Sequence, residues 1–126
     1  MSDNLSVKNI DISNSDIASL TLSENGSVEE INMTDAMNIR VLPNTINGQS
    51  GLKTLLLRGT SITELELRDL PSLRTLSLPV TVEKLTIQNC GVRELEITWN
   101  NASEVSYLED LVITDCNDLS YLSLQG

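Results

Sequence analysis

The side chains best suited to chemistry are three acidic pairs, Glu64-x-Glu66, Glu94-x-Glu96 and Glu109-Asp110, and two thiols, Cys90 and Cys116. Paired carboxylates flanking a scissile bond would make a glycosidase, and paired thiols could ligate a metal or exchange disulfides. The surrounding sequence speaks against both. The x-spaced carboxylates alternate with Leu65 and Leu67, or with Leu95 and Ile97, so they fall on the wet face of a strand. A chain with 18 acidic and 8 basic residues, net charge −10, must display its acids somewhere. The cysteines lack C-x-x-C spacing, make no zinc site on their own and form no disulfide framework. Histidine is absent, which removes Ser-His-Asp and Cys-His catalysis and any histidine metal ligand. No EF-hand loop or Gly-Gly nonapeptide repeat offers calcium a site. The expectation is a protein that is not an enzyme and that holds no cofactor and no metal.

The elements that must carry these residues follow from one pattern. An aliphatic, a second residue and another aliphatic recur as Ile10-Asp11-Ile12, Leu20-Thr21-Leu22, Ile31-Asn32-Met33, Ile39-Arg40-Val41 and Leu55-Leu56-Leu57. The series continues as Leu65-Glu66-Leu67, Leu76-Ser77-Leu78, Leu85-Thr86-Ile87, Leu95-Glu96-Ile97, Leu111-Val112-Ile113 and Leu122-Ser123-Leu124. Period two is the strand signature, one face buried and one wet. Successive triplets start 10, 11, 8, 16, 10, 11, 9, 10, 16 and 11 residues apart, too regular for unrelated strands. A further aliphatic stands three residues before most triplets (Ile17, Val28, Leu52, Ile62, Leu73, Val82, Val92, Leu108, Leu119), giving Φ-x-x-L-x-L. Three residues after the second aliphatic come Ser15, Asn25, Thr60, Cys90, Asn100 and Cys116, small or hydrogen-bonding groups suited to a buried turn.

With these motifs the chain resembles the leucine-rich repeat family over roughly residues 5 to 124, most plainly in VEKLTIQNCGVREL and LEDLVITDCNDLSYL. The resemblance implies a β-rich leucine-rich-repeat solenoid with little helix and a non-catalytic protein–protein interaction module. It also makes Cys90 and Cys116 inward ladder residues. The unit here recurs about every ten residues, below the usual repeat length of about 20 to 29, so two units share each coil. Steps of 16 residues after Ile39 and Leu95 leave open which units share a sheet. A short helical turn within 27–38 is the only helix the sequence suggests.

The chain reads as a single array over 1–126, interrupted by loops near 43–51 (PNTINGQSG from Pro43) and 98–107. A repeat array presents a row of outward side chains that can vary without disturbing the core. Its most charged stretch is Arg58, Glu64, Glu66, Arg68, Lys84, Glu94 and Glu96, with Trp99 and Tyr107 at the rim. These nine residues are the candidate partner-binding set, the partner being another protein. Net charge disfavours nucleic acid, and no apolar run is long enough for membrane insertion. Met1 to Lys8 lacks the layout of a signal peptide, so the default compartment is the cytoplasm, or the secreted or surface route for a fragment. Leu122 and Leu124 close the pattern without a cap, which suggests a homodimer through a terminal coil. Alternatives are a microbial surface adhesin or antigen, a secreted effector repeat domain, and a small β-helix carbohydrate-active protein.

Overall fold

A computed structural model describes residues 7–22, 27–98 and 108–125. Within them the chain winds as a β-solenoid with almost no helix. The strands are β1 Asn9–Asp11, β2 Glu30–Asn32, β3 Thr54–Leu56, β4 Glu64–Leu70, β5 Thr75–Ser77, β6 Lys84–Cys90, β7 Glu94–Thr98, β8 Asp110–Thr114 and β9 Tyr121–Gln125. All pairing is parallel. The first sheet has the order β1-β2-β3-β5, the second β4-β6-β8 and the third β7-β9. β7 lies beside β5, so the first and third sheets share one side of the coil and the second sheet forms the other. This resolves the phase left open by the sequence: successive triplets alternate sides, two per coil.

Register explains why this composition stacks. Ile31, Leu55 and Leu76 are aligned in the first sheet, and Leu65, Leu85 and Leu111 in the second. Parallel strands stand about 4.8 Å apart, so each aliphatic sits on its equivalent in the preceding coil. The residues three places before the triplets complete the core: Val28, Leu52, Ile62, Leu73, Val82 and Val92 are buried. At that position Val7 and Ile17, both in the first coil, are exposed. Fully burying one such side chain contributes about 1.5–3 kcal/mol, and the repetition of that term lets the fold do without Phe.

Two backbone devices repeat with the coils. At the entry to a strand, one carbonyl of the preceding coil accepts two consecutive N–H groups. Lys8 O receives Glu29 and Glu30 (2.7 and 3.0 Å), Glu29 O receives Lys53 and Thr54, and Lys53 O receives Arg74 and Thr75. On the other side Thr63 O receives Glu83 and Lys84, and Glu83 O receives Glu109 and Asp110. At the exit, four places after the first inward aliphatic, stands a residue with positive φ: Asn14, Asp35 and Gly59 on one side, Asp69, Asn89 and Asp115 on the other. Asn, Asp and Gly are the residues that enter the left-handed region at least cost. Gly59 (φ 85) is further constrained because an added Cβ would lie 2.8 Å from the Asp35 backbone.

One place after each corner comes a column of inward residues: Ser15, Ala36 and Thr60, and opposite them Leu70, Cys90 and Cys116. Ser15 Oγ donates to Ile12 O (2.7 Å) and Thr60 Oγ1 to Leu57 O (2.8 Å). Each thiol donates to the carbonyl two residues back and to one in the preceding coil. Cys90 Sγ reaches Gln88 O at 3.3 Å and Leu67 O at 3.6 Å; Cys116 Sγ reaches Thr114 O at 3.4 Å and Ile87 O at 3.8 Å. Cys90 is buried, Cys116 half-buried, and both are free thiols. Asn25 and Asn100 lie outside the described residues.

Elsewhere the structure departs from the sequence expectation. Residues 27–38 hold β2 and turns rather than a helical turn, and the 3-10 turn Asn44–Gly48 falls inside the loop expected at 43–51. Leu20-Thr21-Leu22 and Ile39-Arg40-Val41 are not strands. Past Ile39 the reason is visible. Pro43 breaks the run, and Asn47 occupies the β4 edge where a strand would pair. Its Oδ1 accepts Arg68 N (3.0 Å) and its Nδ2 donates to Glu66 O (3.4 Å). A side-chain amide thus imitates a neighbouring strand and covers a sheet edge. At the far end of the third sheet, Leu122 and Leu124 are 43% and 48% exposed, whereas Leu95 and Ile97 on the paired β7 are each 1% exposed.

Candidate interaction face

The second sheet gives the longest ordered surface, because β4 and β6 run for seven residues each. Inward aliphatics at alternate positions leave the others pointing out, and in-register pairing lines them up in columns. Glu64, Lys84 and Asp110 form the first column, Glu66, Thr86 and Val112 the second, and Arg68, Gln88 and Thr114 the third. Lys84 therefore stands between two carboxylates, and opposite charges on neighbouring strands are mutually favourable. The Arg68 guanidinium bonds to the Gln88 amide oxygen and lies 3.5 Å from Glu66 Oε2. Val112, 45% exposed, puts an apolar surface beside these polar groups. Together the first two columns line a shallow hollow of about 380 Å³.

Of the sequence-derived candidates, the structure brings Glu64, Glu66, Arg68 and Lys84 together on this face. Glu94 and Glu96 stand on β7 in the third sheet, and Arg58 follows β3 in the first, so these three share the other side of the solenoid. Trp99 and Tyr107 lie outside the described residues. Sequence reasoning passed over Thr86, Gln88, Asp110, Val112 and Thr114 as members of the face. Their signal was positional: each stands one place before, one after or three after the first inward aliphatic of a second-sheet strand. It became readable only once the alternation of sides was known.

On the other side, the outward position after the first aliphatic carries local hydrogen bonds. Asp11 Oδ1 accepts Ser13 N at 3.0 Å, and Asn32 Oδ1 accepts Thr34 N at 3.0 Å and the Thr34 hydroxyl at 2.6 Å. The hydrogen bonds from the Ser13 side chain and backbone hold the Asp11 carboxyl below its usual value. These polar groups shape turns rather than converge on a substrate-sized space. The described residues contain no group of three or more potential metal ligands, and no helix among them is long and apolar enough to cross a membrane. No family model, curated protein or solved structure matches the chain.

Proposed function

We propose that the chain is a non-catalytic protein–protein interaction module, its solenoid of the leucine-rich-repeat type, which meets its partner with the outward face of the second sheet. Coil length supports the repeat type. The aligned residues Ile31, Leu55 and Leu76 are 24 and 21 apart, and Leu65, Leu85 and Leu111 are 20 and 26 apart, inside the family's range of about 20–29 residues. The observation that carries the functional reading is the nine outward side chains standing in three registered columns on one rigid aliphatic core. Such a surface offers mixed charge, amide and hydroxyl hydrogen bonding and an apolar centre at Val112, the anatomy of a recognition patch.

The test replaces two central groups of the face, Lys84→Glu together with Val112→Asp, in the full chain. Both side chains project from the sheet, so unfolding by urea is expected to change little. Proteins cross-linked to the wild type in its native cell, identified by mass spectrometry, are expected to include a specific partner. That partner's affinity, measured with purified proteins, should fall about tenfold or more in the variant. A partner that binds wild type and variant equally would place the contact elsewhere.

A further inference from the structure

Cys90 and Cys116, the chain's two cysteines, are 26 residues apart in sequence but stand in consecutive coils. The register fixes their alignment. Gln88 of β6 pairs with Thr114 of β8, and each thiol follows two residues later, past matching corners at Asn89 (φ 54) and Asp115 (φ 55). In the inward column Leu70, Cys90, Cys116 the two thiols are therefore direct neighbours. Adjacent parallel strands are about 4.8 Å apart, within the Cα separation of about 4.4–6.8 Å that a disulfide spans. Each sulfur also leans toward the coil before its own. Cys116 Sγ thereby comes within 3.8 Å of Ile87 O, a carbonyl on the strand that ends in Cys90.

The pair joins a firmly packed coil to a loosely packed one. Leu85 and Ile87 of β6 are each 1% exposed, whereas their partners on β8, Leu111 and Ile113, are half-buried. In a repeat array each coil is held only by its neighbours, so a coil with less buried apolar surface opens at lower cost than the rest. The two thiols differ in the same sense. Cys116 is half-buried and Cys90 buried, and burial raises the pKa of the Cys90 thiol. Cys116 is thus the thiol that a dissolved reagent meets first. Cys90 is the one placed to act on whatever Cys116 becomes.

We propose that Cys90 and Cys116 form a reversible redox staple, closed as a disulfide by a small-molecule disulfide oxidant and opened by a thiol reductant. Cys116 gives its proton to solvent, and its thiolate attacks one sulfur of the oxidant. The oxidant's S–S bond breaks, one small thiolate leaves with the electron pair and is protonated, and Cys116 carries a mixed disulfide. Cys90 then gives up its proton and attacks Cys116 Sγ, and the second small thiolate leaves and is protonated. Two cysteine thiols lose two electrons and two protons, and one small disulfide gains them as two thiols. Closure gives up the weak S–H bonds to the carbonyls of Leu67, Ile87, Gln88 and Thr114. In exchange it ties the loose coil covalently to the firm one, which removes open states from the ensemble. The staple lies inward, so it and the outward face of the second sheet can fail independently.

The experiment holds the full chain in oxidised glutathione and then in dithiothreitol, and reads intact mass, peptide mapping and hydrogen exchange. Oxidation is expected to remove two hydrogen atoms per chain and leave no glutathione attached. Digestion should then yield one cross-linked peptide pair holding Cys90 and Cys116. In the oxidised chain the amides of Leu111 and Ile113 should exchange about tenfold more slowly, those of β1, β2 and β3 should not change, and the urea midpoint should rise. Dithiothreitol should reverse every change. Cys90→Ser should stop at the mixed disulfide on Cys116, and Cys116→Ser should leave Cys90 unmodified. In the wild type, glutathione retained on either cysteine at equilibrium, cross-links between chains, a disulfide that forms only in urea, or one that lowers the urea midpoint would each overturn the proposal.

Discussion

The two sides of the solenoid are built from one repeat, Φ-x-x-L-x-L, and differ in what the repeat becomes. On one side β4, β6 and β8 pair without interruption, with strands of seven, seven and five residues. Its first edge is covered by the amide of Asn47. On the other, β1, β2, β3 and β5 are three residues each and the sheet parts at a seam before β7. Inward leucines are therefore enough to stack coils but not to join strands. The corners on the second side, Asp69, Asn89 and Asp115, all have positive φ, whereas Val80, the corner that follows β5 on the first, does not. Continuity of a sheet and continuity of its core are separable properties here.

The largest expected effect compares two leucines of the same coil at the same repeat position. Leu85 lies under the second sheet and is 1% exposed; Leu76 lies at the seam and is half-buried. Leu85→Ala should cost about 2–5 kcal/mol, since its neighbours in the coils before and after cannot collapse into the cavity. Leu76→Ala should cost about half of that or less, because part of its surface already meets solvent. Urea unfolding of the two variants measures the difference. Equal losses would mean that the seam is closed in solution and the two sides are alike.

Asn47 offers a smaller effect that attacks the continuous side at its covered edge. Asn47→Asp keeps the acceptor for Arg68 N but replaces the donor to Glu66 O by a second acceptor, so that carbonyl loses its partner and gains a like partial charge. A loss of about 1–2 kcal/mol is expected, read by urea unfolding. Light scattering should show self-association as the bared β4 edge becomes available. Unchanged stability and mass would show that the amide cap contributes nothing to keeping this edge solitary.

Much of this architecture was legible because it is local. Period two located the strands, and the aliphatic three places upstream marked positions that prove buried at Val28, Leu52, Ile62, Leu73, Val82 and Val92. The small residues Ser15, Thr60, Cys90 and Cys116 were legible as turn fillers for the same reason. Which side each unit occupies was not, because both sides use one motif. The charged stretch consequently read as one patch, although Arg58, Glu94 and Glu96 stand on the other side from Glu64, Glu66, Arg68 and Lys84. The corner had a signal that went unused: Asn14, Asp35, Gly59, Asp69, Asn89 and Asp115 all fall four places after the first aliphatic of a triplet, whereas Glu24, Pro43, Val80 and Trp99 stand at that place in other units. The seam itself depends on hydrogen bonds between coils, which no single-coil pattern contains.

The smallest expected effect separates the two sides by pH. Their inward corner columns differ in chemistry, hydroxyls at Ser15 and Thr60 and thiols at Cys90 and Cys116. Burial pushes the Cys90 thiol above its ordinary pKa, outweighing the backbone hydrogen bonds that favour the thiolate. The folded chain therefore keeps this proton at a pH where the unfolded chain has begun to release it. By linkage, the stabilisation is fully present below the ordinary thiol pKa and is lost as pH rises toward the raised folded value. Hydroxyls do not titrate in that range, so between the two columns this contribution belongs to the thiol side. The urea midpoint of the wild type, followed from about pH 8 to about pH 10, should fall more steeply than that of Cys90→Ala, while Thr60→Ala should keep the wild-type slope. Thiol alkylation gives an independent reading: half-buried Cys116 should react before buried Cys90, whose modification requires the coils on either side to part. Parallel slopes for wild type and Cys90→Ala would show that the second side's corner is as exposed to water when folded as when unfolded, and the distinction between the two columns would go with it.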